Sequence, residues 1–167
     1  MPQAGTSSAG VLRGGTPGVP LAGSAFTFAG DQWNHLDPAL VDFLLANQGA
    51  TQYLVATPTS AYTSLFMLVT DQPAMALGGY QGWDRIITPQ QLSRMVRKDV
   101  VRYFLLPAES VPAQLPGRLD GTAGLNAWIR ASCAAVPPEQ WTSHDSPSTW
   151  LVGATLFDCA QSGLAQR

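Results

Sequence analysis

Charged side chains are scarce in this sequence, where they make up only 12% of the 167 residues. This is about half the usual share for a globular protein. The 9 basic and 11 acidic side chains leave a formal net charge of −2. A nucleic-acid-binding module needs a basic patch or stripe, so that class of protein is not expected here. Hydrophobic residues reach 46%, which argues against a wholly disordered or collagen-like chain and predicts one domain with its own core.

Long apolar runs are also missing. The longest is SLFMLV at residues 64–69, far short of the roughly 18 residues that suggest a membrane-spanning helix. The opening MPQAGTSSAG has neither a charged nor an apolar signal-peptide region. We therefore expect no membrane span and no signal peptide in this chain. Either it is soluble inside the cell, or it is a fragment of something larger.

Motifs for catalysis and metal binding are absent as well. The sequence contains no phosphate-binding P-loop, no His-Glu-x-x-His, no Cys-x-x-Cys and no serine nucleophile elbow. The two histidines, His35 and His144, are far apart in the sequence without a third ligand, and the two glutamates, Glu109 and Glu139, lie beside prolines. We expect no catalytic residue, no metal site and no cofactor in this domain.

The organisation of the chain is that of one domain with a tether. Residues 1–30 are rich in Gly, Pro, Ser and Thr without periodicity, and this predicts a flexible linker. The α/β domain is expected over residues 31–162, with a short tail at 163–167.

Within the domain, helical patterns alternate with short apolar runs. Helices are predicted after the N-cap Asp37, over residues 60–69, from the capping box that begins at Thr88 to about residue 98, and over residues 125–135. Buried strands are predicted at residues 53–56, 73–77, 100–106 and 154–159. This alternation predicts a three-layer α/β/α fold with a mostly parallel, flavodoxin- or Rossmann-like sheet.

A glycine-rich loop with two aromatic residues is the strongest candidate for a binding site. In open parallel sheets, ligands bind beyond the carboxyl ends of the strands. Glycines expose backbone amides, aromatic rings stack on sugars and a carboxylate accepts hydrogen bonds from hydroxyls. A tight connection with its aromatic rings capping the core is the alternative reading. The predicted ligand-binding residues are Thr57, Thr59, Gly78, Gly79, Tyr80, Gly82, Trp83 and Asp84.

Cysteine is rare, with two residues at Cys133 and Cys159. In a cytosolic protein two such thiols are typically buried and inert. In an exported domain an even number of cysteines favours a disulfide.

Five stretches together resemble one family domain. They are LLANQGATQYLVAT (44–57), DQPAMALGGYQGWDRIITPQQLSRMV (71–96), VRYFLL (101–106), WIRASCAAVPPEQW (128–141) and TLFDCA (155–160). This order resembles the C-terminal extracytoplasmic domain of bacterial, chiefly actinobacterial, membrane glycosyltransferases related to protein O-mannosyltransferases (glycosyltransferase family 39, GT-C type). The family usually reads Gly-Gly-Phe-x-Gly-x-Asp-Pro, where this sequence has Tyr80 and Arg85 in place of the Phe and the Pro.

The resemblance implies a parent enzyme that takes a sugar from a polyprenyl-phosphate donor in the cell envelope. Its catalytic acid would lie in a membrane module of the same polypeptide, so no catalytic residue carries over to this sequence. The domain itself would contact a glycan or protein acceptor, or serve as a structural or docking domain. With an extracytoplasmic location, Cys133 and Cys159 are predicted to form a disulfide.

A free-standing flavodoxin-like protein that binds a nucleotide or flavin is the remaining alternative. Such a site favours a glycine-rich turn after the first strand, but the turn here reads Thr57-Pro58-Thr59-Ser60.

Overall fold

The computed structural model describes residues 36–107, 121–143 and 153–160. The predicted linker over residues 1–30 and the predicted tail over residues 163–167 lie outside these ranges, as do His35, Glu109 and His144.

Within the described residues, four α-helices form close to the predicted positions. They are α1 (Pro38–Asn47), α2 (Ser60–Thr70), α3 (Pro89–Arg97) and α4 (Ala123–Ser132). The Asp37 carboxylate accepts the Ala39 N–H at 2.9 Å and so caps α1. At α3 the capping box is complete, because the Thr88 hydroxyl accepts the Gln91 N–H and the Gln91 side chain accepts the Thr88 N–H.

Five short strands of the described residues form one mixed sheet. They are β1 (Ala56–Thr57), β2 (Met75–Ala76), β3 (Tyr103–Leu106), β4 (Ala134–Ala135) and β5 (Thr155–Asp158), in the spatial order β2-β1-β3-β5-β4. The pairs β1–β2 and β1–β3 are parallel, whereas β3–β5 and β4–β5 are antiparallel. The α/β class and the parallel first three strands are confirmed. The flavodoxin- or Rossmann-like three-layer arrangement stays a prediction, because β5 and β4 depart from a parallel order.

The end of α4 corrects one sequence-based boundary. The helix was expected to extend to residue 135, but it ends at Ser132. Cys133 is extended, with φ −119° and ψ 152°, and the next two residues pair with β5 as strand β4. Alanine favours helix by itself, so this boundary reflects tertiary pairing with β5.

Alternate side chains of β3 enter two separate apolar clusters. Tyr103 and Leu105 pack with Leu40 and Leu44 of α1 and with Phe66 of α2. On the other side, Phe104 and Leu106 belong to the cluster that contains residues of α3 and α4, namely Leu92, Val96, Leu125 and Ile129. Each fully buried large apolar side chain contributes about 1.5–3 kcal/mol, so these clusters hold the helices on the sheet.

The predicted disulfide between Cys133 and Cys159 is present, with a Cα–Cα distance of 4.4 Å. It joins the C-cap of α4 to the residue that follows β5. The bridge closes a loop with a sequence separation of 26 residues. The bridge therefore links the end of α4 to the antiparallel part of the sheet.

We expect the double variant Cys133→Ala/Cys159→Ala to lose about 3 kcal/mol of the free energy of unfolding, because the bridge restricts the unfolded chain. Urea denaturation with and without reductant measures this loss. Reductant should lower the stability of the wild-type chain and leave the double variant unchanged. Two titratable thiols in the unfolded, non-reduced wild-type chain would contradict the bridge.

Candidate functional site

The two halves of the predicted site lie side by side at the carboxyl ends of β1 and β2. The Leu77 N–H donates to the Thr57 carbonyl at 2.9 Å, and the Gly78 N–H donates to the Pro58 carbonyl at 3.0 Å. The Ser60 N–H donates to the Gly79 carbonyl at 2.9 Å. Parallel pairing of the strands thus brings the turn at residues 57–60 against the loop at residues 78–84.

The two threonines of the site face into the protein. Thr57 and Thr59 are both buried. The Thr57 hydroxyl donates to the Thr59 carbonyl at 3.0 Å and lies 2.8 Å from the Thr63 hydroxyl. The Thr59 hydroxyl caps α2 by accepting the Tyr62 N–H. These hydroxyls shape the turn, and a direct contact of either one with a ligand stays a prediction.

The glycines allow a tight loop, because the backbone at these positions leaves no room for a side chain or adopts a positive φ. Gly79 and Gly82 have φ values of +70° and +82°, a region that favours glycine. Gly78 is buried, and a Cβ at this position would lie 2.5 Å from the Gly82 carbonyl oxygen and against the Thr122 side chain. The loop backbone is therefore closed onto itself, with Gly78 packed against Gly82 and Thr122.

Two residues that the sequence analysis missed complete this loop. A Cβ at Gly121 would collide with the Trp83 carbonyl, and Thr122, the N-cap residue of α4, packs against Gly78. A Gly-Thr pair just before a helical pattern is a start signal that could have marked them. Their contact with the loop comes from the position of α4 in the fold.

All four side chains of the loop reach solvent, namely Tyr80, Gln81, Trp83 and Asp84. Tyr80 is 67% exposed and Trp83 is 37% exposed, and Asp84 is also exposed. The Asp84 N–H donates to the Gly78 carbonyl at 3.0 Å and fixes the backbone below the carboxylate. The side chain does not cap α3, because Thr88 and Gln91 do. The loop thus presents two aromatic rings and a carboxylate from a fixed backbone.

The loop at residues 78–84 offers aromatic faces, backbone amides and one carboxylate. Within residues 36–107, 121–143 and 153–160, no group of three or more His, Cys, Asp or Glu side chains could hold a metal ion. Burial raises the pKa of the Tyr62 phenol, which lines a narrow cleft with Thr57. A neutral phenol is a hydrogen-bond donor and acceptor. Nothing in the loop pairs a nucleophile with a base.

Comparison with known proteins identifies the family. Residues 40–132, more than half of the chain, match the family described as "Putative mannosyltransferase YkcB-like, C-terminal". The chain belongs to this family. The domain expected from the resemblance is therefore confirmed at the level of the family, whereas an actinobacterial source stays an expectation.

Two curated relatives come from Bacillus subtilis (strain 168). "Putative mannosyltransferase YkcB" is 28% identical over 148 residues, which are 86% of this chain and 20% of that protein. "Putative mannosyltransferase YycA" is 23% identical over 151 residues, which are 88% of this chain and 21% of that protein. The chain thus spans about a fifth of the length of these relatives. No solved structure matches it significantly.

We expect Gly78→Ala to destabilise the domain by about 1–3 kcal/mol, the usual range for overpacking a closed site. Gly124 in α4 is the matched control, because the nearest atom to a Cβ there is 3.9 Å away. Gly124→Ala should stabilise by about 0.5–1 kcal/mol, since alanine favours helix. Chemical denaturation of both variants checks the opposite signs, and equal effects would mean that the loop is not closed.

Proposed function

We propose that this YkcB-like domain is an accessory, non-catalytic domain of a membrane glycosyltransferase that uses a polyprenyl-phosphate sugar. The domain would lie at the extracytoplasmic face of the membrane. Its loop at residues 78–84 would contact the glycan or protein acceptor. The membrane module of the same polypeptide would be its partner and would carry the catalytic groups. The family match and the printed names of the relatives support the choice of a mannosyltransferase-like parent.

The disulfide supports an extracytoplasmic location. Disulfides form and persist in oxidising compartments and are rare in the cytosol, and Cys133 is bridged to Cys159. In the part of the chain that the structure describes, no helix is long and apolar enough to cross a membrane.

The observation that carries the binding role is the exposure of Tyr80, Trp83 and Asp84 on a rigid loop. Aromatic rings offer apolar faces to the C–H groups of a sugar, and a carboxylate accepts hydrogen bonds from its hydroxyls. Because the backbone is already ordered by the hydrogen bonds of Gly78, Gly79 and Asp84, binding costs little further ordering.

A docking role is the second candidate. Three consecutive apolar side chains near the end of α2, Met67, Leu68 and Val69, are 43%, 82% and 53% exposed. Exposed apolar patches mark interaction sites in many proteins. This surface supports a structural domain that packs on the membrane module of its own polypeptide.

A nucleotide-binding role has less support. The hydroxyl-bearing residues Thr57 and Thr59 are buried and engaged in the turn. The turn between Thr57 and α2 also has no glycine through which the backbone could approach a phosphate.

We expect methyl α-D-mannopyranoside or an acceptor peptide to shift the NMR resonances of Tyr80 and the Trp83 indole in the full chain, with a dissociation constant in the millimolar range, about 4 kcal/mol. Asp84→Ala and Trp83→Ala should each weaken this binding about ten-fold or more, since directed contacts dominate a small site. A polyprenyl-phosphate head group would be a further probe.

The matched control for Asp84→Ala is Asp42→Ala, because Asp42 is also an exposed carboxylate but lies on α1. The control should leave every shift unchanged. If none of the probes moves a resonance near Tyr80 or Trp83, the loop is structural, and the docking role becomes the better account.

A further inference from the structure

A cavity of about 240 Å³ lies at the other end of the strands from the loop at residues 78–84. It is lined by side chains from α1, from the start of β3, from β5 and from the short helix at Pro138–Gln140, and by residues of β4. The side chains that matter for its chemistry are Phe43, Arg102, Tyr103, Gln140 and Asp158. Since Tyr103 begins β3, this cavity is at the amino end of that strand, away from the loop at residues 78–84.

A two-point ion pair forms one wall of the cavity. Arg102 donates from Nε to Oδ1 of Asp158 at 2.8 Å and from Nη2 to Oδ2 at 2.6 Å. Arg102 Nη1 donates to the Asn47 carbonyl at 3.2 Å, and the Ala160 N–H donates to Asp158 Oδ1 at 2.8 Å. Both charged groups are therefore held in place before any ligand arrives.

This wall has both hydrogen-bond donors and hydrogen-bond acceptors left over for a ligand. A guanidinium has five N–H donors, and the bonds of Arg102 use three of them. Oδ2 of Asp158 accepts one bond, from Arg102, and so has a lone pair left. The positive and negative charges compensate each other, so the cavity offers donors and acceptors without a net charge. This combination favours a neutral hydroxylated ligand over a phosphate or a carboxylate.

The neighbouring aromatic residues add an apolar wall and a hydroxyl. Phe43 packs edge-on against Tyr103 with ring centroids 5.7 Å apart, and the Arg102 guanidinium lies 4.8 Å from the Tyr103 ring centre. Burial, and next the charge of Asp158, raise the pKa of Tyr103, although Arg102 acts in the opposite direction. The phenol stays protonated at neutral pH and can donate.

The volume limits the size of the occupant. Pockets for drug-sized ligands measure about 300–1,000 Å³, and this cavity is smaller, at about 240 Å³. We propose that it binds a single neutral sugar ring, with ring hydroxyls on the Arg102–Asp158 pair and Gln140 and the apolar side of the ring against Phe43. This site goes beyond the proposed function, because it shares no residue with the loop at residues 78–84. It rests on that function only for the choice of a mannoside as the probe.

The test is a titration of the full 167-residue chain, with its disulfide intact, by methyl α-D-mannopyranoside and methyl α-D-glucopyranoside. We expect saturable NMR shifts of the Arg102 Nε–H and the Gln140 side-chain amide for at least one of the two sugars. Gln140→Ala and Tyr103→Phe should each weaken the binding about five-fold, as the loss of one hydrogen bond predicts. Inorganic phosphate should cause no saturable shift at these groups.

Gln52→Ala is the matched control for Gln140→Ala, because both side chains are exposed and Gln52 lies outside the cavity. The control should leave the affinity unchanged, and Asp84→Ala should leave the Arg102 shifts unchanged. If both sugars fail to shift Arg102 and Gln140 at about 50 mM, or if phosphate binds there equally well, the proposal is wrong. Shifts at Trp83 alone would overturn this site and leave the proposed function standing. Shifts at Arg102 alone would support this site and exclude a contact of the loop with these two sugars.

Discussion

The rest of the structure depends on the burial of β3 on both of its faces. All four residues of this strand are buried, and they alternate between the cluster that includes α1 and α2 and the cluster that includes α3 and α4. Because side chains alternate along a strand, a shift by one residue would send each of them to the wrong cluster. The register of β3 against β1 on one side and β5 on the other is therefore set by both clusters at once.

The direction of the other strands relative to β3 decides which groups meet at each end of β3. β1 and β2 run parallel, so their carboxyl ends place the turn at residues 57–60 beside the loop at residues 78–84. β5 runs antiparallel, so its last residue, Asp158, pairs with Tyr103 at the start of β3. This pairing brings Asp158 to Arg102 and places Cys159 within reach of Cys133. A parallel β5 would have put these groups at the other end.

The proposed function uses the loop at residues 78–84, and the sugar site that we propose at Arg102 would add a contact at the opposite end of the strands. The family match supports a glycosyltransferase parent, while the described residues offer contact surfaces: an aromatic loop at one end and a charge-compensated cavity at the other. If one glycan chain contacted both surfaces, binding at the first would raise the effective concentration of the chain at the second. An accessory domain of this kind would position an acceptor for a reaction that takes place elsewhere in the polypeptide.

The sequence by itself determined the starts of α1, α2 and α3, the first three strands in order and the location of the loop, because these depend on local signals. The Thr88 capping box is one such signal, and the glycines of the loop are another. The direction of β5, the existence of β4 and the cavity at Arg102 came only from the tertiary structure. A strand that is buried on both faces has the same apolar pattern in either direction, and two alanines carry no strand signal. Thr57 and Thr59 illustrate the same limit, since which way a hydroxyl faces depends on the partners that the fold brings to it.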